Sequence, residues 1–197
     1  MREFLIRAKG LPVDPKKFLS SIGAMGHAEY LADVIKQTLL ISKGHRPDTK
    51  LTLVLEKSTD YSRAIEIDGS ILGSLSGWRE PEILEFLAES LAFGSCLKKN
   101  EAASFIDGVN IRATSFEKLV RDHSGALAML ETGGNDIRLE PGLENLLFIM
   151  TDHIPMARNT RKFLKRLGAK LLSLGPVTLH TSQCVTLIHN EIDRRFK

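Results

Sequence analysis

Three short apolar runs in the C-terminal part of the chain each end in residues of types that do chemistry. The first exit is Leu130-Glu131-Thr132-Gly133-Gly134-Asn135-Asp136, and the second is Ile149-Met150-Thr151-Asp152-His153. The third, Leu172-Ser173-Leu174-Gly175-Pro176, runs on through Thr178-Leu179-His180-Thr181-Ser182-Gln183-Cys184. Carboxylates and imidazoles can carry protons, and a glycine lets the backbone approach a ligand because it has no Cβ. Each residue also has a plainer reading. Gly133-Gly134 is an ordinary turn, Asn135 and Asp136 are good helix caps, His153 bonds locally, and Cys184 is a small apolar filler. Taken singly, the plainer readings are the commoner ones. Open α/β sheets bind ligands beyond the carboxyl ends of their strands, and three neighbouring exits build one pocket where a single loop would not. The histidines and cysteines show no zinc-type spacing, and the chain has no phosphate loop, no GxGxxG and no hydrolase triad.

The elements that must position these residues alternate along the chain. Strands are expected at residues 4–8, 50–55, 63–67, 109–112, 126–130, 146–150 and 170–174, from their apolar and β-branched runs. The runs at 126–130 and 146–150 are apolar throughout, as suits strands buried on both faces of a parallel sheet. Asp14-Pro15 starts a helix, continuing to about residue 40 unless Gly23 and Gly26 divide it. A helix over 81–95 buries Leu84, Phe86, Leu87 and Leu91, and Ser115 caps a short one. A helix over 156–168 turns Phe163, Leu164 and Leu167 inward and Arg161, Lys162, Lys165 and Arg166 outward, with Gly168 ending it. The last helix, 182–195, carries Val185, Ile188 and Ile192 as its apolar stripe. Strand and helix in alternation predict an α/β fold with a mostly parallel sheet.

The length, 197 residues, suits a single domain. Cys96 and Cys184 are too few for a disulfide scaffold and read as reduced thiols. No apolar run is long enough to span a bilayer, and MREFLIRAKG lacks the apolar core of a signal peptide, so a cytoplasmic location is expected. Net charge is +3. It is unevenly spread: from Met150 on there are nine Lys or Arg against three Asp or Glu, on a body that is slightly acidic. That is the footprint of a phosphate-binding face, or of a solvated helix.

The residues just quoted resemble one family. Met1-Arg2-Glu3-Phe4, Thr132-Gly133-Gly134-Asn135-Asp136-Ile137, Asp152-His153, Ser173-Leu174-Gly175-Pro176, Ser182-Gln183-Cys184 and His189-Asn190-Glu191 with Asp193 are similar, in order and spacing, to the archaeal tRNA pseudouridine N1-methyltransferases and their bacterial relatives. These belong to the SPOUT class of S-adenosylmethionine-dependent RNA methyltransferases. The match is close from about Leu127 to the end and looser in the middle, where Gly69, Pro81 and Glu82 carry it. One departure stands out: the family pattern has glycine before the Asp-His pair, and here the residue is Thr151.

The resemblance implies a single SPOUT-like domain over 1–197, with helices on both faces of the sheet and a C-terminal trefoil knot. Residues 1–69 would form the family-specific portion facing RNA, and 126–197 the cofactor-binding knot region. True knots are nearly absent from proteins, so this expectation comes from the resemblance alone. It further implies S-adenosylmethionine as cofactor, bound by Leu130, Gly133, Thr151, Leu174, Gly175, Leu179 and Cys184. The implied reaction is methylation of a pseudouridine at N1. Asp136 and Asp152 are candidates for orienting the base or taking its N1 proton, and Asn135 for bonding its carbonyl. RNA, tRNA in the archaeal relatives, would be held through Arg2, Arg7, Arg161, Lys162, Lys165 and Arg166. A homodimer is implied, with the last helix at the interface, and no metal. Two rival classes are an inactive RNA-binding or ribosome-associated SPOUT-like module, favoured by Thr151, and an α/β enzyme acting on a small molecule.

Overall fold

A computed structural model of the chain describes residues 1–73 and 79–195. Its sheet is organised around β1 (Arg2–Pro12), whose side chains alternate between two cores. Phe4, Ile6 and Ala8 enter one core and Leu5 the other, the period of two that a strand imposes. β1 is central because it pairs in parallel on both edges: Glu3 lies opposite Lys50 of β4 (Thr49–Lys57) and opposite Leu147 of β9 (Leu146–Thr151).

Beyond β9 lie β8 (Ala126–Asp136) and then β10 (Lys170–Ser173), both parallel to their neighbours. On the other side, β5 (Arg63–Asp68), β7 (Val109–Ala113) and β6 (Ala102–Ile106) are all antiparallel. The eight-stranded order is β10-β8-β9-β1-β4-β5-β7-β6. A short β2 (Leu40–Ile41) and β3 (Gly44–His45) form a separate ribbon. Parallel pairing therefore holds in the half that carries the three exits. The other half is folded from tight connections, such as Asp107-Gly108 with Gly108 at φ +78, which only antiparallel strands accept.

Helices cover both faces. On one lie α1 (Pro15–Leu19), α2 (Glu29–Leu39), α3 (Glu80–Phe93) and α6 (Thr181–Arg195), burying Phe18, Leu31, Leu87 and Ile188 among others. On the other lie α4 (Phe116–Asp122) and α5 (Arg158–Arg166), through Phe116, Val120 and Leu164. The caps are those the sequence names: Asp14 accepts from the Lys17 N–H at 2.8 Å and Ser115 from the Lys118 N–H at 3.2 Å. None of the described helices is long and apolar enough to cross a membrane.

The first helical segment is divided into α1 and α2, as Gly23 and Gly26 allowed, across a stretch in which Gly23 takes φ +63. Two expectations need correction. Leu167 is exposed rather than inward, because the chain turns out of α5 into Gly168 at φ +79. β8 does not end at Leu130. It runs to Asp136, but its pairing jumps: Leu171 of β10 lies opposite Met129 and Leu172 opposite Asn135. Residues 130–134 are thereby thrown out of the ladder as an excursion.

Candidate active site

The excursion from β8, the end of β9 and the segment from β10 to α6 enclose a cavity of about 450 Å³. All seven residues expected to hold a cofactor line it: Leu130, Gly133, Thr151, Leu174, Gly175, Leu179 and Cys184. Met129, Ile149, Met150, Val177, Thr178 and Thr181 complete much of the remaining wall.

Local bonding explains how such different segments meet. The Gly175 N–H donates to the Ser173 hydroxyl at 3.1 Å, and that hydroxyl lies 3.2 Å from the carbonyl oxygens of both Thr132 and Gly175. It has one proton, so it donates to one at a time, and it ties the β8 excursion to the β10 exit. Gly175 sits at φ +130, a conformation that side chains with a Cβ rarely take. Gly134 serves differently, since a Cβ there would lie 2.7 Å from the Leu171 carbonyl. Gly133 has open space around it. Thr151 lines the pocket wall, and its carbonyl accepts from the Thr181 hydroxyl, joining β9 to the start of α6. Burial pushes the Cys184 thiol up to about 11, so it stays protonated at neutral pH and serves as wall rather than nucleophile.

Sequence reasoning missed Glu131 and Ser173. Glu131 is the one carboxylate among the lining residues and Arg161, from α5, the one cation. They stand 3.7 Å apart, and Lys165 approaches the same carboxylate to 3.3 Å. Glu131 lies between Leu130 and Gly133 on the first exit, so its place was readable. Arg161, read as a phosphate contact, faces this cavity.

The polar candidates separate. Asp136 lies outside the cavity, in a neighbouring groove with Arg138, Leu187 and Glu191. Bonds from the Arg138 side chain and main-chain N–H hold its carboxyl down at about 2. Asn135 pairs with Leu172, is exposed, and lines neither cavity. Asp152 and His153 line neither cavity but follow Thr151 of the wall; Asp152 is enclosed, its side chain 1% exposed, and burial raises its pKa. One oxygen accepts from the Ile154 N–H at 2.9 Å, and the other lies 3.9 Å from His153 Nδ1.

Arg2 and Arg7 are committed internally, contrary to their expected reach for phosphate. Arg2 is buried and pairs with Asp48 at 3.0 Å and Asp193 at 2.6 Å. Arg7 pairs with Glu56 at 2.9 Å and Glu117 at 3.1 Å and stacks on Phe116. Both occupy β1, the buried middle of the sheet, so their charges need partners inside. On α5, Arg161, Lys162, Lys165 and Arg166 are all exposed.

A mixed α/β sheet with a pocket across three parallel strand ends defines a ligand-binding enzyme architecture. The comparisons give the family. A family model described as "Putative SAM-dependent RNA methyltransferase" matches residues 1–196, and the chain belongs to that family. A protein of Shewanella frigidimarina named "Putative pseudouridine methyltransferase" is 39% identical over 99% of this chain and 100% of its own. A Vibrio vulnificus protein of the same name is 38% identical over 98% of both chains. Archaeoglobus fulgidus Nep1, solved bound to S-adenosylhomocysteine, matches the fold with a TM-score of 0.63 at 12% identity, over 99% of each chain.

Proposed function

We propose that this member of the family methylates N1 of a pseudouridine in RNA, with tRNA the first substrate class to test. The observation that carries it is the meeting of Leu130, Gly133, Thr151, Leu174, Gly175, Leu179 and Cys184 around one cavity of about 450 Å³. The full-length relatives named for pseudouridine methylation favour this reading over an inactive module or an enzyme indifferent to RNA.

The cavity's chemistry fits S-adenosylmethionine. Its volume suits a nucleoside-sized molecule. Leu130, Leu174, Leu179 and Cys184 would flank an adenine, and the main chain at Gly133 and Gly175 would meet its polar edge. Glu131 and Arg161 would receive the ammonium and carboxylate of the amino-acid end. When bound, S-adenosylmethionine supplies an electrophilic methyl group. The chain's own task is then mainly to position the base. The N1 proton must leave, and we assign it to the Asp152–His153 pair rather than to Asp136. A carboxyl held near 2 is a weak base, while burial moves Asp152 toward the basicity that proton transfer needs.

Exposed Lys162 and Arg166, with Arg158 on the same helix, would meet phosphate. We also propose a homodimer through the groove beside α6, which Leu187, 38% exposed, lines; Leu139, 82% exposed, follows Arg138 of the same groove. Threading of the segment after β10 through the β8 and β9 exits, as a knot, is part of the same reading. The Thr181–Thr151 bond, which ties that segment to the end of β9, supports it.

The deciding experiment incubates the protein and radiolabelled S-adenosylmethionine with paired RNAs, identical but for uridine or pseudouridine at one position. Label is expected only in the pseudouridine RNA, since only pseudouridine offers a protonated N1. Equal label in both would end the N1 assignment. No label, with no donor binding by calorimetry, would end the reading.

A further inference from the structure

Beside the cavity, four rings from three separate segments form a cluster, of which only His153 has been given a role so far. Tyr30 of α2 stacks with two imidazoles. His153 lies at 5.5 Å between ring centres and 27° between planes, and His180 at 5.8 Å and 22°. His27 packs against the side of the Tyr30–His153 pair, 5.0 Å from His153 at 78° and 5.4 Å from Tyr30 at 55°. It is held in place: His27 adopts φ +50, uncommon outside glycine, and its Nδ1 lies 3.0 Å from a Glu29 carboxylate oxygen. The His180 side of the cluster faces solvent. His180 is exposed, and its backbone is fixed at the start of α6, where its N–H donates to Gln183 Oε1 at 2.9 Å and its carbonyl accepts from the Cys184 N–H at 3.0 Å. Among the described residues no three His, Cys, Asp or Glu side chains are grouped to hold a metal ion, so the imidazoles are read here as rings.

A pre-stacked cluster of flat rings with one exposed member, His180, suits another flat ring. Proteins hold unpaired RNA bases by stacking them on Phe, Tyr, Trp or His. Position decides which base. Leu179 and Thr181 line the cavity, while His180 between them carries its ring to Tyr30. The exposed ring therefore flanks the cavity instead of belonging to it.

We propose that His180, backed by Tyr30 and His153, is the stacking platform for the nucleotide next to the target base. Resting on the RNA methyltransferase reading above, this adds a specificity-determining contact: the strand is splayed open, one base toward the cavity and its neighbour onto His180. The platform is tolerant of base identity, because every base has a π-face. It requires an unpaired neighbour.

The test uses an RNA stem-loop with pseudouridine in the loop and 2-aminopurine on its 5′ or 3′ side, titrated with protein without donor. Binding should quench the fluorescence of one of the two probes, as stacking does. His180→Ala should abolish the quench and weaken affinity at least about fivefold, the low end for one stacked base. His180→Phe should keep both. Calorimetry should find donor binding unchanged in each variant, which also shows that they are folded. Unaltered quench and affinity in His180→Ala would overturn the platform and leave the methyltransferase reading standing. Equal losses in His180→Ala and His180→Phe would also overturn it, because the contact would then be polar. Failure of the unsubstituted protein to bind any stem-loop would overturn both.

Discussion

Gly134 passes so close to Leu171 that a Cβ built on it would lie 2.7 Å from that residue's carbonyl carbon and oxygen. The crowding is against backbone, which has little room to yield. Gly134→Ala is therefore expected to destabilise the fold by roughly 1–3 kcal/mol, while Gly133→Ala, in open space, should be nearly neutral. Denaturant unfolding of the two variants checks this. Equal midpoints would mean that β10 shifts freely against β8.

Gly175 gives a second contrast, because nothing lies within 4 Å of its Cβ position and the strain comes from φ +130 alone. Gly175→Ala should cost about 1–3 kcal/mol locally and, by moving the Ser173–Gly175 turn, weaken donor binding about tenfold or more. Titration calorimetry of a folded variant reads it. Unchanged affinity would remove the turn from the site.

The two aspartates are separable by rate. Asp152→Asn is expected to lower single-turnover methylation by about a hundredfold, within the usual range for a proton acceptor. Asp136→Asn should cost less than about threefold, its carboxyl being held near 2 by Arg138. The reverse order would move the proton step to the neighbouring groove.

On α5, Lys162→Glu with Arg166→Glu should weaken RNA binding and reduce the slope of log affinity against log salt by up to about two. Donor affinity should be unmoved. Lys165 is a poor choice for this test because it lies 3.3 Å from Glu131 at the cavity. An unchanged salt slope would reduce the α5 face to ordinary solvated surface.

Stability should depend on pH through His189. Its Nε2–H donates to the Thr38 carbonyl at 3.0 Å, leaving Nδ1 to accept from Arg2 at 3.1 Å. Burial, with the Arg46 and Arg2 guanidiniums nearby, pushes its pKa from 6.5 down to about 4. Between those values the unfolded chain binds a proton that the folded chain refuses. The contribution, roughly 3 kcal/mol, is thus complete above 6.5 and lost as pH falls toward 4. Urea unfolding at stepped pH measures it. A His189→Gln protein with the same pH slope would assign the loss elsewhere.

Much of the cavity was legible because its residues sit at strand exits, and an exit is marked by a change from an apolar run to glycine or polar residues. Leu130 and Gly175 stand at such exits, and the family resemblance named them and Cys184 for the cofactor. Charge was harder to read. Arg2 and Arg7 look in sequence like any other basic residues, and only their place on the central strand shows that Asp193 and Glu56 take them inside. Asp136 and Asp152 likewise share a residue type, and their opposite pKa directions come from Arg138 in one case and burial in the other. The ring cluster was invisible, since Tyr30, His153 and His180 belong to segments that only the fold brings together.

The place of β1 bears on how the chain is made. Of this sheet's strands it is synthesised first, yet one of its edges waits for residues 146–151. At ordinary elongation rates that delay is on the order of ten seconds. Through it, Phe4 and Ile6 belong to a half-built sheet with an open parallel edge, a surface to which other chains can add. Assembly is therefore late and non-local, of the slow kind that long-range parallel pairing produces. A nascent chain stalled before Leu146 should be sensitive to protease and bound by chaperones, whereas one released past α6 should be neither.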